Sequence, residues 1–199
     1  NIFEKSYREY KESEKKADLG ELYRKKLKMT KNEKSTTNKW LFNYQYAGII
    51  AQAIPNAKII HCYRNPLDNI LSIYRAHFAT GNNFSSSLVD SAAVFSDQEE
   101  IMKIYKKEFK NHIYELNYDE LVTHPSEEIK SLIHWLGWKW DDLYLSPHLN
   151  KRKISTRSNV QVRSPINTKS LGGWKNYKEM LRPAMEIITQ KDKYKDLKY

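Results

Sequence analysis

The stretch Ala57-Lys58-Ile59-Ile60-His61-Cys62-Tyr63-Arg64-Asn65-Pro66-Leu67-Asp68-Asn69-Ile70-Leu71-Ser72-Ile73-Tyr74 decides how the rest of the chain is read. Its first half is short, partly β-branched and bounded by Pro55-Asn56 on one side and Asn65-Pro66 on the other, the pattern of a buried parallel strand over 57–63. Its second half changes period. Pro66 suits a first helical position, Asp68 suits the positive end of a helix dipole, and Leu67, Ile70, Leu71 and Tyr74 keep helical spacing. A strand therefore feeds directly into a helix.

Working outward, Tyr44 to Ile54 has a helical pattern that stops before Pro55, and Ser35 to Asn38 is a polar break. The first thirty residues read as one or two charged helices, with Leu19, Leu22, Tyr23 and Leu27 as an apolar stripe. Downstream, Asn82 to Ser87 is a loop, Leu88 to Phe109 a longer helix and Ile113 to Leu116 a second strand. A helix from Pro125 to Leu136 ends at Gly137, Trp138 to Ile166 turns irregular, and helical spacing resumes from about Ser170 to Ile188. Strands separated by helical segments predict one α/β domain over residues 1–199, built on a parallel sheet flanked by helices.

With 40% hydrophobic and 13% aromatic residues, the chain can bury a sizeable core, and no run of eighteen apolar residues suggests a membrane span. Cys62 is the only cysteine, which excludes an internal disulfide and a Cys-type zinc site and suits a reducing, cytoplasmic setting. The histidines, His61, His77, His112, His124, His134 and His148, show no metal-ligand spacing, and His61 is expected to point into the sheet. Lys+Arg of 34 against Asp+Glu of 24 gives a formal charge of +10, so anionic partners are expected. Most of the excess lysine, in Tyr23 to Lys34 and Lys103 to Lys110, reads as solvated helix face.

In an open parallel sheet, ligands bind beyond the carboxyl ends of the strands, and Arg64 sits there. Its guanidinium can grip a phosphate through two hydrogen bonds, and Ser72 on the following helix can add a hydroxyl. Taken alone, an ordinary salt bridge would explain Arg64 as well. The whole of Ile54 to Tyr74, however, resembles the 3′-phosphate-binding segment of sulfotransferases that use 3′-phosphoadenosine 5′-phosphosulfate (PAPS). Those enzymes share the strand, the Arg, a Pro-x-Asp step and a helical Ser. The resemblance implies that Arg64 and Ser72 hold the cofactor's 3′-phosphate.

Ser158-Asn159-Val160-Gln161-Val162-Arg163, followed by Pro165 and Lys169-Ser170-Leu171-Gly172-Gly173-Trp174, is dense in hydroxyls, amides and basic groups. It resembles the C-terminal cofactor loop of protein-tyrosine sulfotransferases and of bacterial sulfotransferases fused to tetratricopeptide repeats. By that resemblance Ser158 and the Gln161-Val162 backbone line the nucleotide, and Arg163 touches it or the acceptor. A basic residue often precedes the Trp in that family; here Gly173 stands there, and Lys175 is the candidate substitute. Thr37-Asn38-Lys39-Trp40-Leu41-Phe42-Asn43 resembles the family's Thr-Asp-Lys-x-Pro-x-Asn segment, with Asn38 for the Asp and Leu41 for the Pro. Lys39 is accordingly the candidate catalytic group, an ammonium that stabilises charge on the leaving oxygen. Tyr118-Asp119-Glu120-Leu121 resembles the Tyr-Glu-x-Leu step, which places Tyr118 near the adenine; a core tyrosine at a strand end explains it nearly as well.

The resemblance covers about Leu19 to Leu181. It implies a P-loop kinase-like three-layer fold, PAPS as cosubstrate, adenosine 3′,5′-bisphosphate as product, and a hydroxyl or amine acceptor. Acidic peptides, saccharides and small alcohols all fit a basic site. The family's Gly/Ser/Thr-rich 5′-phosphosulfate loop has no counterpart before Lys39, where Gly20 is the only glycine, so an N-terminally truncated chain lacking its first strand, loop and base is expected. The alternative is a catalytically inactive nucleotide- or polyanion-binding module. A nucleic-acid-binding protein ranks last, since no recognition helix or zinc spacing is present, and a P-loop kinase would need the same absent loop.

Overall fold

The computed structural model describes residues 2–14, 16–27, 36–76, 78, 81–150 and 163–197. In chain order the helices are α1 (Ile2–Glu12), α2 (Leu19–Lys26), α3 (Ala47–Ala53), α4 (Pro66–Arg75), α5 (Leu88–Glu108), α6 (Tyr118–Thr123), α7 (Pro125–Leu136) and α8 (Lys178–Ile188), with strands β1 (Ile59–Tyr63) and β2 (Ile113–Asn117). Among the described residues the two strands pair with each other as a small parallel sheet, each running into a helix at its carboxyl end. The molecule thus mixes helix and sheet as the alternating pattern predicts. The chain falls into two compact units, residues 1–59 with 101–113 and residues 60–100 with 114–199.

In the first unit α1 and α2 form a hairpin. Asp18 starts α2 by accepting the Glu21 N–H at 2.7 Å, and the fully buried Phe3 packs edge-on against Tyr23 and Tyr46. Ala47, Met102 and Ile113 make a second small core with Tyr44, Tyr105 and Phe109 around them. Gly48 is required there: a Cβ on it would stand 2.5 Å from the Tyr105 ring.

The second unit holds the larger core, built from Leu67, Ile70 and Leu71 of α4, Ala92 and Phe95 of α5, Trp174, and Leu181, Ala184, Met185 and Ile188 of α8. Each large apolar side chain removed from water this way contributes roughly 1.5–3 kcal/mol. Asn65 caps α4 by accepting the Leu67 and Asp68 N–H groups at 3.0 and 3.2 Å, with Pro66 in the first turn. Asn117 does the same for α6 through the Asp119 N–H at 2.9 Å. Gly137 ends α7 in the left-handed region, at φ 73°.

Three local expectations change. α8 begins at Lys178, not near Ser170, because Gly172 at φ 67° breaks the helical path and a 3-10 turn covers Gly173–Tyr177. Tyr74 lies on the outer side of α4, while Leu67, Ile70 and Leu71 are buried. β1 is buried on one face only: His61 points inward as expected, whereas Ile60 and Cys62 are exposed. Among the described residues no helix is long and apolar enough to cross a membrane.

Candidate functional site

At the carboxyl ends of the two strands, Arg64 sits in the turn after β1 and Tyr118 opens α6 directly after β2. Arg64 is largely enclosed, its side chain 16% exposed, and its Nη2 donates to the Ser170 carbonyl at 2.6 Å. The guanidinium lies over the Tyr118 ring, 5.0 Å from the centroid, and the Tyr118 hydroxyl is 2.9 Å from Ser170 Oγ. One loop residue thereby contacts both side chains.

Two carboxylates frame the guanidinium. Asp68 Oδ2 is 3.7 Å from Arg64 Nη2, and Asp119 Oδ1 is 3.9 Å from Arg64 Nε. Asp119 also accepts the Asn65 N–H at 2.7 Å, tying the turn after β1 to the first turn of α6. Arg64 Nε and Asp119 Oδ1 are both buried without a hydrogen-bond partner, because 3.9 Å is too long for one. Asp68 is 4% exposed and accepts the Gly172 N–H at 2.7 Å and the Trp174 N–H at 2.9 Å. The loop is thus pinned to the first turn of α4.

Beside β1 lies a second polar group. Glu99 of α5 pairs with Lys193 and accepts the Tyr194 hydroxyl at 3.0 Å, while Lys193 also lies over the Tyr63 ring at 5.6 Å. Burial works against ionisation of Glu99, but the bond and charge of Lys193 and the Tyr194 hydroxyl outweigh it, so its pKa is lowered. Lys193 is held above its usual range: burial opposes its charge, and Glu99 and Tyr194 more than offset that. Burial, with the Glu99 charge adding to it, pushes Tyr194 up to about 12. The buried His61 ring meets the Gln98 side chain at 2.6 Å.

Of the residues singled out from sequence, Arg64 and Tyr118 come together, and Ser72 is exposed on α4, one turn after Asp68 on the same helical face. Lys175 is exposed on the 3-10 turn, its side chain folded back so that a Cβ on Gly172 would lie 4.0 Å from its Nζ. Arg163 is exposed and donates to the Asn150 carbonyl. Ser158, Gln161 and Val162 lie outside the described residues. Lys39 belongs to the first unit, where it is exposed in an irregular segment, and Asn43 opens the 3-10 turn Asn43–Tyr46. Sequence reasoning missed Asp119 and Ser170 as partners of Arg64, and read Asp68 only as a helix-end charge. The signals were the Pro-x-Asp step and the small polar Ser170 before Gly-Gly-Trp, neither of which names its partner. Among the described residues no group of three or more His, Cys, Asp or Glu is placed to hold a metal ion.

Residues 4–142 match the family model described as "Sulfotransferase family". The match contains Lys39, Arg64, Ser72 and Tyr118 and ends before the Ser158 to Trp174 segment. An uncharacterized protein of Aquifex aeolicus (strain VF5) is 35% identical over 151 residues, 74% of this chain. The chain spans about a fifth of that relative's length, 20%.

Proposed function

The chain belongs to the sulfotransferase family, and from that premise we propose that the protein transfers a sulfuryl group from PAPS to a hydroxyl or amine acceptor, releasing adenosine 3′,5′-bisphosphate. The observation that carries the proposal is the convergence on Arg64. A guanidinium at the carboxyl end of a parallel strand, over an aromatic ring and bonded to a loop more than a hundred residues away, is placed where such sheets take nucleotides. Arg64 would bind the 3′-phosphate with Ser72 adding its hydroxyl, and Tyr118 would lie against the adenine. Ser158, Gln161, Val162 and Arg163 complete the assigned nucleotide loop. Lys175, folded over Gly172, supplies the positive charge that Gly173 lacks.

PAPS supplies the activated sulfuryl group. Lys39 is assigned to the leaving bridging oxygen, where a fixed ammonium gains energy as negative charge develops. The two-stranded sheet with its helices is read as part of a P-loop kinase-like three-layer arrangement. The basic balance, +10, suits a nucleotide cosubstrate and an anionic acceptor such as an acidic peptide or saccharide.

Calorimetry on the full-length protein tests the reading. Adenosine 3′,5′-bisphosphate should bind more tightly than 5′-AMP, and Arg64→Ala should remove most of that difference, on the order of 1.5–3 kcal/mol for charged hydrogen bonds. Equal affinity for the two nucleotides in the wild type would sink the clamp.

A further inference from the structure

We propose that Asp68 is a positioning residue for 3′-phosphate recognition, a buried carboxylate that locks Arg64 and the Ser170–Trp174 loop together before ligand arrives. The proposal rests on the nucleotide reading above. Asp68 is bonded to the loop and also borders the arginine: it takes the N–H groups of Gly172 and Trp174, and its Oδ2 stands 3.7 Å from Arg64 Nη2. Arg64 in turn bonds the Ser170 carbonyl, which closes a circuit from α4 to the loop and back through the arginine.

The residue type follows from the geometry. Each carboxylate oxygen accepts one backbone N–H, and such charge-assisted bonds are stronger than neutral ones. An asparagine would turn its NH₂ toward one of those donors. The two amides reach one carboxylate because Gly172 is at φ 67°, where a side chain strains the backbone. With both oxygens engaged, the helix N-terminus beneath and the guanidinium beside it, the buried charge is compensated.

The sign of one effect separates this role from a passive one. A carboxylate beside an anion site repels a phosphate, so electrostatics alone makes Asp68→Asn bind the bisphosphate more tightly. Positioning makes it bind more weakly, because a preformed clamp is replaced by one that must be ordered on binding.

The test uses the full-length protein, adenosine 3′,5′-bisphosphate and 5′-AMP as titrants, and the variants Asp68→Asn and Gly172→Ala. The second variant attacks the same bonds from the loop side without touching α4. In both, bisphosphate affinity should fall about tenfold or more, the equivalent of roughly 1.4 kcal/mol, while 5′-AMP affinity stays within about twofold, since 5′-AMP has no 3′-phosphate to meet the clamp. A fold weakened as a whole would lower both affinities together, and that outcome counts against the proposal. Unchanged or tighter bisphosphate binding by either folded variant overturns it. If neither variant folds, amide exchange of the wild type decides: Gly172 and Trp174 should be protected without nucleotide, and fast exchange there overturns the preformed lock. A wild type that does not prefer the bisphosphate would instead reject the nucleotide reading on which the proposal stands.

Discussion

At the scale of single residues, Tyr118 touches both Arg64 and the Ser170 loop. The ring supports the guanidinium and the hydroxyl reaches Ser170, so the two roles can be separated by substitution. Tyr118→Phe keeps the aromatic face and loses one partly exposed hydrogen bond, worth about 0.5–1 kcal/mol, so bisphosphate Kd should rise about two- to fivefold by calorimetry. Tyr118→Ala also removes the platform under Arg64 and should weaken binding further. A Phe variant as weak as the Ala variant would place the whole effect in the hydroxyl. Arg64 and Tyr118 were recognisable as candidates because each follows a strand inside a motif whose spacing is local. Ser170 and Asp119 were not, because a carbonyl or carboxylate partner 106 or 54 residues from the group it holds leaves no periodic trace.

At the scale of elements, the C-terminal turn after α8 is fastened to α5 by the Glu99, Lys193 and Tyr194 group, with Tyr194 and Leu197 also packed on the main core. The folded pKa of Glu99 lies below its ordinary 4.5, so its contribution is fully present above that value and is lost as pH falls through the lowered one. Lys193 is raised above 10.5, so its contribution is complete below that value and is lost as pH rises through the raised one. Between these limits Glu99→Gln should destabilise the protein by about 1 kcal/mol, a figure discounted for solvent around the half-exposed ammonium. The difference in Tm from wild type should be full near neutrality and shrink as pH falls through the lowered pKa, where the wild-type carboxylate becomes protonated too. A gap that persists in acid would assign the loss to packing. Element boundaries were legible wherever the backbone imposes them: Pro125 and Gly137 bracket α7 as expected. The start of α8 was not, since Leu171 and Trp174 fall at helical spacing although Gly172 leaves the helical region. Ile60 and Cys62 look like core residues in sequence, and only the pairing of strands reveals the outward face.

At the scale of the whole molecule, the proposed reaction asks for a cation at the leaving oxygen. In the full-length protein Lys39→Ala should lower kcat for transfer of labelled sulfate from PAPS by on the order of 100-fold, as loss of one transition-state donor typically does. KM for PAPS should change little, because Lys39 acts mainly as charge develops. A variant with wild-type kcat would remove Lys39 from the chemistry, and an inactive wild type that still binds the bisphosphate would favour the binding-module reading. Family membership and the mixed helix and sheet architecture were legible from one motif-rich stretch and the alternation around it.

The outward face of β1 carries a practical consequence. Cys62 is the only thiol in this 199-residue chain, exposed, and two positions before Arg64, which follows the end of β1. Burial around the sulfur pushes its pKa up, which lowers the thiolate fraction and slows its reaction at neutral pH. Within these 199 residues a maleimide dye would attach at this one position. Because neighbouring strand residues project to opposite faces, the label would stand on the same side of the strand as Ile60 and opposite His61. Its emission would then report optically on the surroundings of Arg64, without enzyme assay or acceptor.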